Sequence, residues 1–284
     1  MHAFGGSFAL VGVLVSMVTG AGATLALHAV IRERFGARSA FWGALFFCFG
    51  PLSFVLQITY AESTFLLLMF CGLLALLRRR YLVMIPVTVA AAFTHPGALA
   101  IPAALGITLL AGILRTHRLA LRENAAAWLA MALTTAAGFA WPFVAAARTG
   151  SSRAYVATET AWWRDYIGQV HFTPFTPWFL MGSRYLGVAG IGLVVVVIGV
   201  IVVLLARRSR RLGIVVLSYA ASYVGYLIAV FLPQQSIFRM LLPLSPLLGQ
   251  PALSSTALRA RVTLAICIAA QPVAILLLWV TWPP

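Results

Sequence analysis

Long apolar runs separated by short arginine clusters constrain this chain more than any other feature. A membrane-spanning helix needs about 20 predominantly apolar residues, and most stretches between polar breaks reach or approach that length. The chain is 62% hydrophobic and 9% charged, whereas soluble domains have about 45–50% apolar and about 25% charged residues. The sequence therefore predicts an all-α fold, a polytopic transmembrane helical bundle of about ten spans, some of them short or broken by proline. The predicted runs are 7–31, 40–60, 63–77, 81–93, 98–114, 125–147, 185–206, 212–232, 237–253 and 262–282.

The basic residues indicate how the predicted spans are oriented. All 20 are arginines, and 15 of them fall in five clusters between apolar runs. Alternating crossings place the five clusters on one face, which is predicted to be cytoplasmic because positive residues accumulate on that side. Clusters so placed explain the net charge of +15, and no nucleic-acid partner is predicted. The clusters lie at 32–38, 78–80, 115–122, 207–211 and 259–261.

The opposite, extracytoplasmic face receives the polar segments that could carry chemistry. Residues 1–284 are predicted to form a single integral membrane domain with an extracytoplasmic loop at about 148–184, and the all-arginine usage favours a bacterial plasma membrane. The alternation of crossings also places Met1 on the extracytoplasmic face. Since no signal or preceding helix would bring it there, the sequence predicts an N-terminally shortened form of a longer protein. The three cysteines lie singly in apolar runs and are expected to be core residues. No metal ligands and no cofactor are predicted, although divalent-metal use stays open.

Two polar segments end a predicted helical hairpin over residues 57–97. Tyr60-Ala61-Glu62-Ser63 opens the third run, where Glu62 fits either a helix-capping carboxylate or a residue that holds a sugar hydroxyl or a basic partner. Thr94-His95-Pro96-Gly97 fits a helix break, which does not account for His95. A histidine at a membrane boundary needs a partner, and a ligand phosphate and Glu62 are both suitable.

The stretch 155–166 mixes two acids, an arginine and four aromatic residues. This composition is typical of an interfacial amphipathic helix. It also suits a carbohydrate or lipid-phosphate site, in which aromatic rings stack on sugars and arginine binds phosphate. Glu159 and Asp165 are six residues apart and would point to different sides of one helix, so a paired-carboxylate hydrolase is disfavoured. The candidate binding residues here are Trp162, Trp163 and Arg164.

A lone arginine, Arg239, lies at the outer mouth of the ninth run, against the positive-inside bias. Such a cation needs an anion, and a phospholipid headgroup and a substrate phosphate both satisfy that need.

Together these segments resemble the PIG-V-like branch of the C-type membrane glycosyltransferases, bacterial relatives of the GPI mannosyltransferase that adds the second mannose. The family's Tyr-x-Glu-Ser-x-Phe motif is matched by Tyr60, Glu62, Ser63 and Phe65. Its Thr-Arg-Pro-x-Gly-like turn is matched by Thr94, His95, Pro96 and Gly97. Its Arg-Tyr-x-Leu-Pro-x-x-Pro-like segment is matched by Arg239, Leu242, Pro243 and Pro246.

The resemblance implies transfer of mannose, or a similar sugar, from a polyprenyl-phosphate donor to an acceptor on the extracytoplasmic face, with membrane lipids as further partners. It implies that His95 and Arg239 face the phosphate and that Glu62 organises the pocket beside Tyr60. The family's catalytic acid lies in the first extracytoplasmic loop, whereas no acidic residue precedes Glu33 in this chain, and His95 replaces the usual arginine. The catalytic residue is therefore unassigned, with Glu62 and Asp165 as weak candidates. The alternative function is that of a non-catalytic membrane protein, either a degenerate transferase-like subunit or a lipid or solute carrier.

Overall fold

A computed structural model describes residues 8–117 and 121–281, and every regular element within them is a helix. Six helical segments of this part are long and apolar enough to cross a membrane. The prediction of an all-α polytopic membrane protein is therefore confirmed. The helices are α1 (Phe8–Phe35), α2 (Ala37–Cys48), α3 (Glu62–Leu77), α4 (Tyr81–Thr94), α5 (Ala100–Thr116), α6 (Ala125–Gly138), α7 (Ala140–Thr149), α8 (Ala154–Ala161), α9 (Arg164–Ile167), α10 (Pro177–Val230), α11 (Ile237–Met240) and α12 (Ala257–Ile275). Four 3-10 helices (Ser53–Gln57, Pro96–Leu99, Leu242–Gly249 and Pro251–Leu253) and a π-helical segment (Leu276–Thr281) complete the set.

The chain divides into two compact units. Unit 1 comprises Met1–His95 and Phe238–Pro284, and unit 2 comprises Pro96–Ile237. The prediction of a single membrane domain, with an extracytoplasmic loop at about 148–184, stays a prediction.

Unit 1 is built around α1, which packs against both α2 and α3. Leu27 and Ile31 of α1 are fully buried, as are Phe70 and Leu73 of α3. Between membrane helices, close approach depends on small residues rather than on a hydrophobic driving force. Gly43 of α2 illustrates this requirement, because a Cβ atom there would lie 2.7 Å from Cδ1 of Ile31.

Helices α3 and α4 form a tight hairpin. Arg79 adopts the left-handed conformation, with φ of 54°, and the N–H of Arg80 donates to the carbonyl of Ala75 at 2.8 Å. At the other end of the hairpin, the rings of Phe65 and His95 lie 4.7 Å apart. The polar ends of the two helices are therefore adjacent, and the arginine turn lies at the opposite end of α3.

Two of the predicted apolar runs are not continuous helices. In the run 40–60, the α-helix ends at Cys48, just before Gly50-Pro51, and the chain resumes as the 3-10 helix Ser53–Gln57. The run 237–253 is divided between α11 and two 3-10 helices. The cause is the same in both, since each proline removes a backbone donor and its ring clashes with the preceding turn of an α-helix.

Unit 2 is organised around α10, which packs against α5. Gly187 and Gly213 have non-helical backbone angles and divide α10 at two points. Its two apolar spans are Pro177–Arg208 and Arg211–Val230, so the first starts eight residues before the predicted run 185–206. The indole Nε1 of Trp178 donates to the carbonyl of Leu227 at 3.0 Å, which ties the two ends of α10 together.

Candidate functional site

The centre of the candidate site in unit 1 is an ion pair between Glu62 and Arg239. Glu62 is the first residue of α3, where the helix dipole favours a negative charge, and Arg239 lies on the short helix α11. Nη1 of Arg239 is 3.2 Å from Oε1 of Glu62, and the two side chains are 27% and 14% exposed. The structure thus gives Glu62 a basic partner, one of the alternatives left open by the sequence, and it supplies Arg239 with an anion from the same chain.

Arg239 also contacts the aromatic ring of Tyr60. Its guanidinium carbon lies 4.8 Å from the ring centroid, a cation–π contact that is stronger when it is withdrawn from water. The Nε atom of Arg239 is buried and makes no hydrogen bond. A guanidinium has five N–H donors, so one carboxylate leaves this group able to bind a second anion or another acceptor.

Trp279 extends the aromatic surface around Tyr60. The two rings are 6.0 Å apart in an edge-on arrangement, and the rings of Phe54 and Trp279 are 6.3 Å apart. Trp279 lies in the π-helical segment after α12, and such segments are frequent at functional sites. Trp279 was not among the residues predicted from the sequence, although a tryptophan near the end of an apolar run is typical of a membrane interface.

His95 is the remaining member of this cluster. It has extended backbone angles at the end of α4, as expected for the residue before a proline, and it packs against Phe65. Burial, together with the positive charge of Arg239, lowers the pKa of His95 from 6.5 to about 4. His95 is therefore neutral near pH 7, and it offers a hydrogen bond to a ligand rather than a positive charge. We call Tyr60, Glu62, His95, Arg239 and Trp279 the Glu62 cluster.

The candidates from 155–166 belong to unit 2 and are dispersed. Trp163 is 7% exposed and packs edge-on against Phe172 at 5.9 Å, whereas Trp162 is 71% exposed. Arg164 and Asp165 are both exposed on α9. Of these side chains, only that of Trp163 is buried.

The acidic residues of this region also lie on different helices. Glu159 is on α8 and Asp165 on α9, so the assumption that one helix carries both is wrong; the bend at Trp162-Trp163 separates them. Burial and the nearby Glu159 raise the pKa of Tyr155 to about 12, which keeps this phenol a neutral donor. Among residues 8–117 and 121–281, no three His, Cys, Asp or Glu side chains are grouped closely enough to hold a metal ion. Metal use therefore stays a matter of prediction.

The fold defines the class of protein as a polytopic helical membrane protein. Within that class it is similar to the crystal structure of ArnT from Cupriavidus metallidurans bound to undecaprenyl phosphate, with a TM-score of 0.54 and 18% sequence identity. The likeness covers 94% of this chain and 50% of that one, so this chain spans about half the length of ArnT. The chain thus shares its fold with the matched half of ArnT. No protein-family profile and no curated protein sequence matches this chain.

Proposed function

We propose that this protein is a membrane glycosyltransferase that takes its sugar from a polyprenyl-phosphate donor, and that the Glu62 cluster binds the phosphate of that donor. The observation that carries the proposal is the state of Arg239. Its guanidinium is held by Glu62 and Tyr60, yet its buried Nε has no hydrogen-bond partner. A fixed guanidinium with an unused donor is suited to a phosphate oxygen.

The comparison with ArnT supports the same ligand class. That structure contains undecaprenyl phosphate, a polyprenyl phosphate of the kind that remains after a lipid-linked sugar has been transferred. The resemblance at Tyr60, Glu62 and Arg239 to the PIG-V-like pattern favours mannose as the sugar. The arginine distribution favours the extracytoplasmic face of a bacterial plasma membrane as the place of transfer.

In the proposed reaction, an acceptor hydroxyl oxygen attacks the anomeric carbon of the sugar. The bond from that carbon to the phosphate oxygen breaks, and its electron pair stays on the leaving polyprenyl phosphate. Arg239 stabilises the negative charge that develops there, while neutral His95 donates a hydrogen bond to the same phosphate. Glu62 fixes Arg239 and is therefore a positioning residue; the base that takes the acceptor proton is unassigned.

The test is a transfer assay with the full chain in detergent or bilayer nanodiscs. Polyprenyl-phosphate mannose is the donor, a bacterial membrane extract supplies the acceptor, and the release of polyprenyl phosphate is measured. Arg239→Lys keeps the charge but removes the planar fork, and loss of one such donor to a developing anion costs about 100- to 1,000-fold in rate. Arg261→Lys is the matched control, because Arg261 is exposed on α12 outside the cluster, and it should retain wild-type activity. Equal rates for the two variants would contradict the role of Arg239.

A specific observation also favours a second, non-catalytic function. Unit 1 contains two acidic residues, Glu33 and Glu62, and both are engaged in ion pairs with arginines. Neither is thus available as a general base unless its pair opens. If both pairs stay closed, the protein binds the lipid phosphate without transferring a sugar, either as a carrier or as a subunit of a transferase. Binding of polyprenyl phosphate that depends on Arg239, with no sugar transfer in any extract, would establish this alternative.

A further inference from the structure

A polar pocket lies in unit 1 at the arginine end of α3, the end opposite Glu62. It has a volume of about 350 Å³ and is lined by His28, Ala29, Arg32, Glu33 and Arg78. Four of these residues belong to the last turns of α1, and the fifth follows the last residue of α3. The packing of α1 against α3 therefore creates the pocket. Its volume is on the order of ten water molecules, which is enough for a phosphate group and part of what is attached to it.

The pocket carries more positive than negative charge. It is lined by two guanidinium groups, those of Arg32 and Arg78, and by one carboxylate, that of Glu33. Nε of Arg78 donates to Oε2 of Glu33 at 2.9 Å, and these side chains are 42% and 40% exposed. An exposed ion pair of this kind contributes little stability, so a competing anion can displace Glu33 at low cost. Arg32 lies on the same wall and is exposed.

The position of the pocket along α1 and α3 fits a lipid headgroup as the ligand. Up to Leu27, which is fully buried, α1 carries only apolar residues, glycines and three hydroxyl residues, and the ionisable residue that follows is His28, which lines the pocket. On α3, the apolar sequence ends at Leu77 and Arg78 follows directly. The pocket thus lies where two packed apolar helices become charged, which is the level of lipid phosphates in a bilayer. Basic pockets between membrane helices are known to bind anionic headgroups.

We propose that His28, Arg32 and Arg78 form a binding site for a phosphate group at this end of unit 1, and that Glu33 is an internal competitor for it. A phosphodiester in the headgroup of an anionic phospholipid and a free phosphate ion share the required chemistry. Arg32 and Arg78 donate charge-assisted hydrogen bonds to the phosphate oxygens, and the imidazole of His28 supplies one more N–H. The site is independent of the sugar-transfer function proposed for the Glu62 cluster.

The test measures phosphate binding to the purified full chain in detergent micelles. Short-chain phosphatidylglycerol, short-chain phosphatidylcholine and inorganic phosphate are titrated separately, and bound ligand is counted by native mass spectrometry or by isothermal titration. One arginine near an anionic lipid surface contributes about 1 kcal/mol, a factor of about 5 in affinity. Arg32→Gln and Arg78→Gln should therefore each weaken binding of phosphatidylglycerol about 5-fold. Glu33→Gln should strengthen it about 5-fold, because it releases Arg78.

The control is Arg261→Gln, which removes one exposed arginine of α12 outside the pocket and should change the affinity less than 2-fold. Helix content by circular dichroism and a single peak in gel filtration show that each variant is folded. If the protein binds phosphatidylglycerol but not inorganic phosphate, the ligand is a lipid headgroup. If it binds inorganic phosphate and the pocket variants weaken that binding, the ligand is a free anion. If folded Arg32→Gln and Arg78→Gln bind like Arg261→Gln, or if Glu33→Gln does not strengthen binding, the proposed site is wrong.

Discussion

Arg239 reaches Glu62 at 3.2 Å, although the two residues lie far apart in the sequence. The contact joins the first turn of α3 to α11, and it places a guanidinium over the ring of Tyr60. Both side chains are largely buried in unit 1 without being fully withdrawn from solvent. The ion pair therefore has two consequences: it holds the local structure of unit 1, and it fixes the direction of the one cation that the Glu62 cluster offers to a ligand.

The first prediction concerns the free energy of unfolding associated with this pair. Glu62→Gln leaves a partly buried arginine without its carboxylate, and Arg239→Gln leaves the carboxylate without its cation. Each single variant should destabilise the protein by about 1–3 kcal/mol. The double variant should lose less than the sum of the two, because no uncompensated charge remains. Thermal unfolding of the protein in one detergent, monitored by circular dichroism, measures all three, and strictly additive losses would show that the pair is not coupled.

The second prediction concerns pH and His95. The folded protein holds the pKa of His95 at about 4 rather than 6.5, so between these values the unfolded chain binds more protons than the folded one. The contribution of His95 to stability is therefore fully present above about pH 6.5 and is lost as the pH falls towards 4. His95→Gln should flatten the fall in melting temperature over this range. His171→Gln is the matched control, since His171 is exposed in unit 2; an unchanged slope in His95→Gln would contradict the shift.

Much of the helical organisation follows directly from the sequence. The bounds predicted for the third and fourth runs, 63–77 and 81–93, differ by one residue each from α3 and α4. These helices are predictable because their ends carry explicit signals: an acid at the start of α3, three arginines between the helices, and a proline after His95. The end of α2 at Cys48 was less predictable, because a proline in a membrane helix can either kink it or end it.

The pairing of site residues was beyond sequence reasoning. Arg239 was predicted to need an anion, and Glu62 was left open between a helix cap and a binding residue. That the two residues pair depends on how α11 packs in unit 1. Trp279 was missed for the same reason, since its contact with Tyr60 depends on the path of α12. Sequence periodicity describes one helix at a time, whereas these contacts arise from the packing of elements that are distant in the chain.

The third prediction separates two adjacent tryptophans of unit 2. Trp163 is buried against Phe172, whereas most of Trp162 is exposed. Trp163→Ala should destabilise unit 2 by about 3–5 kcal/mol, because it removes a packed aromatic side chain and leaves a cavity. Trp162→Ala should change stability by less than about 0.5 kcal/mol, as expected for a surface position. The melting temperatures of the two variants in the same detergent decide the matter, and similar losses in both would contradict the burial of Trp163.

The last prediction concerns the attachment of α12 to the rest of unit 1. Gln271 lies on this helix, and its Nε2 donates to Oγ of Ser53 at 2.6 Å. Ser53 is buried, whereas an 18-residue apolar window of the segment Ala257–Thr281 has no buried residues, so this hydrogen bond is one of the contacts that attach the helix. Polar contacts between membrane helices contribute about 0.6 kcal/mol on average and up to about 1.7, and Gln271→Leu should lower stability by an amount in that range.

Because α12 leads directly to Trp279, the same change should also loosen the aromatic contact with Tyr60. Gln271→Leu should therefore make the Trp279 side chain more accessible to a lipid-soluble quencher. The measurement is the quenching of Trp279 fluorescence in a background in which the other tryptophans are replaced by phenylalanine. Ser53→Ala should give the same increase, since it removes the other partner of the hydrogen bond. Gln250→Leu is a control for the loss of a glutamine elsewhere in unit 1 and should leave the quenching unchanged. If Trp279 fluorescence is quenched equally in Gln271→Leu and in the parent protein, α12 is held in place by its other contacts.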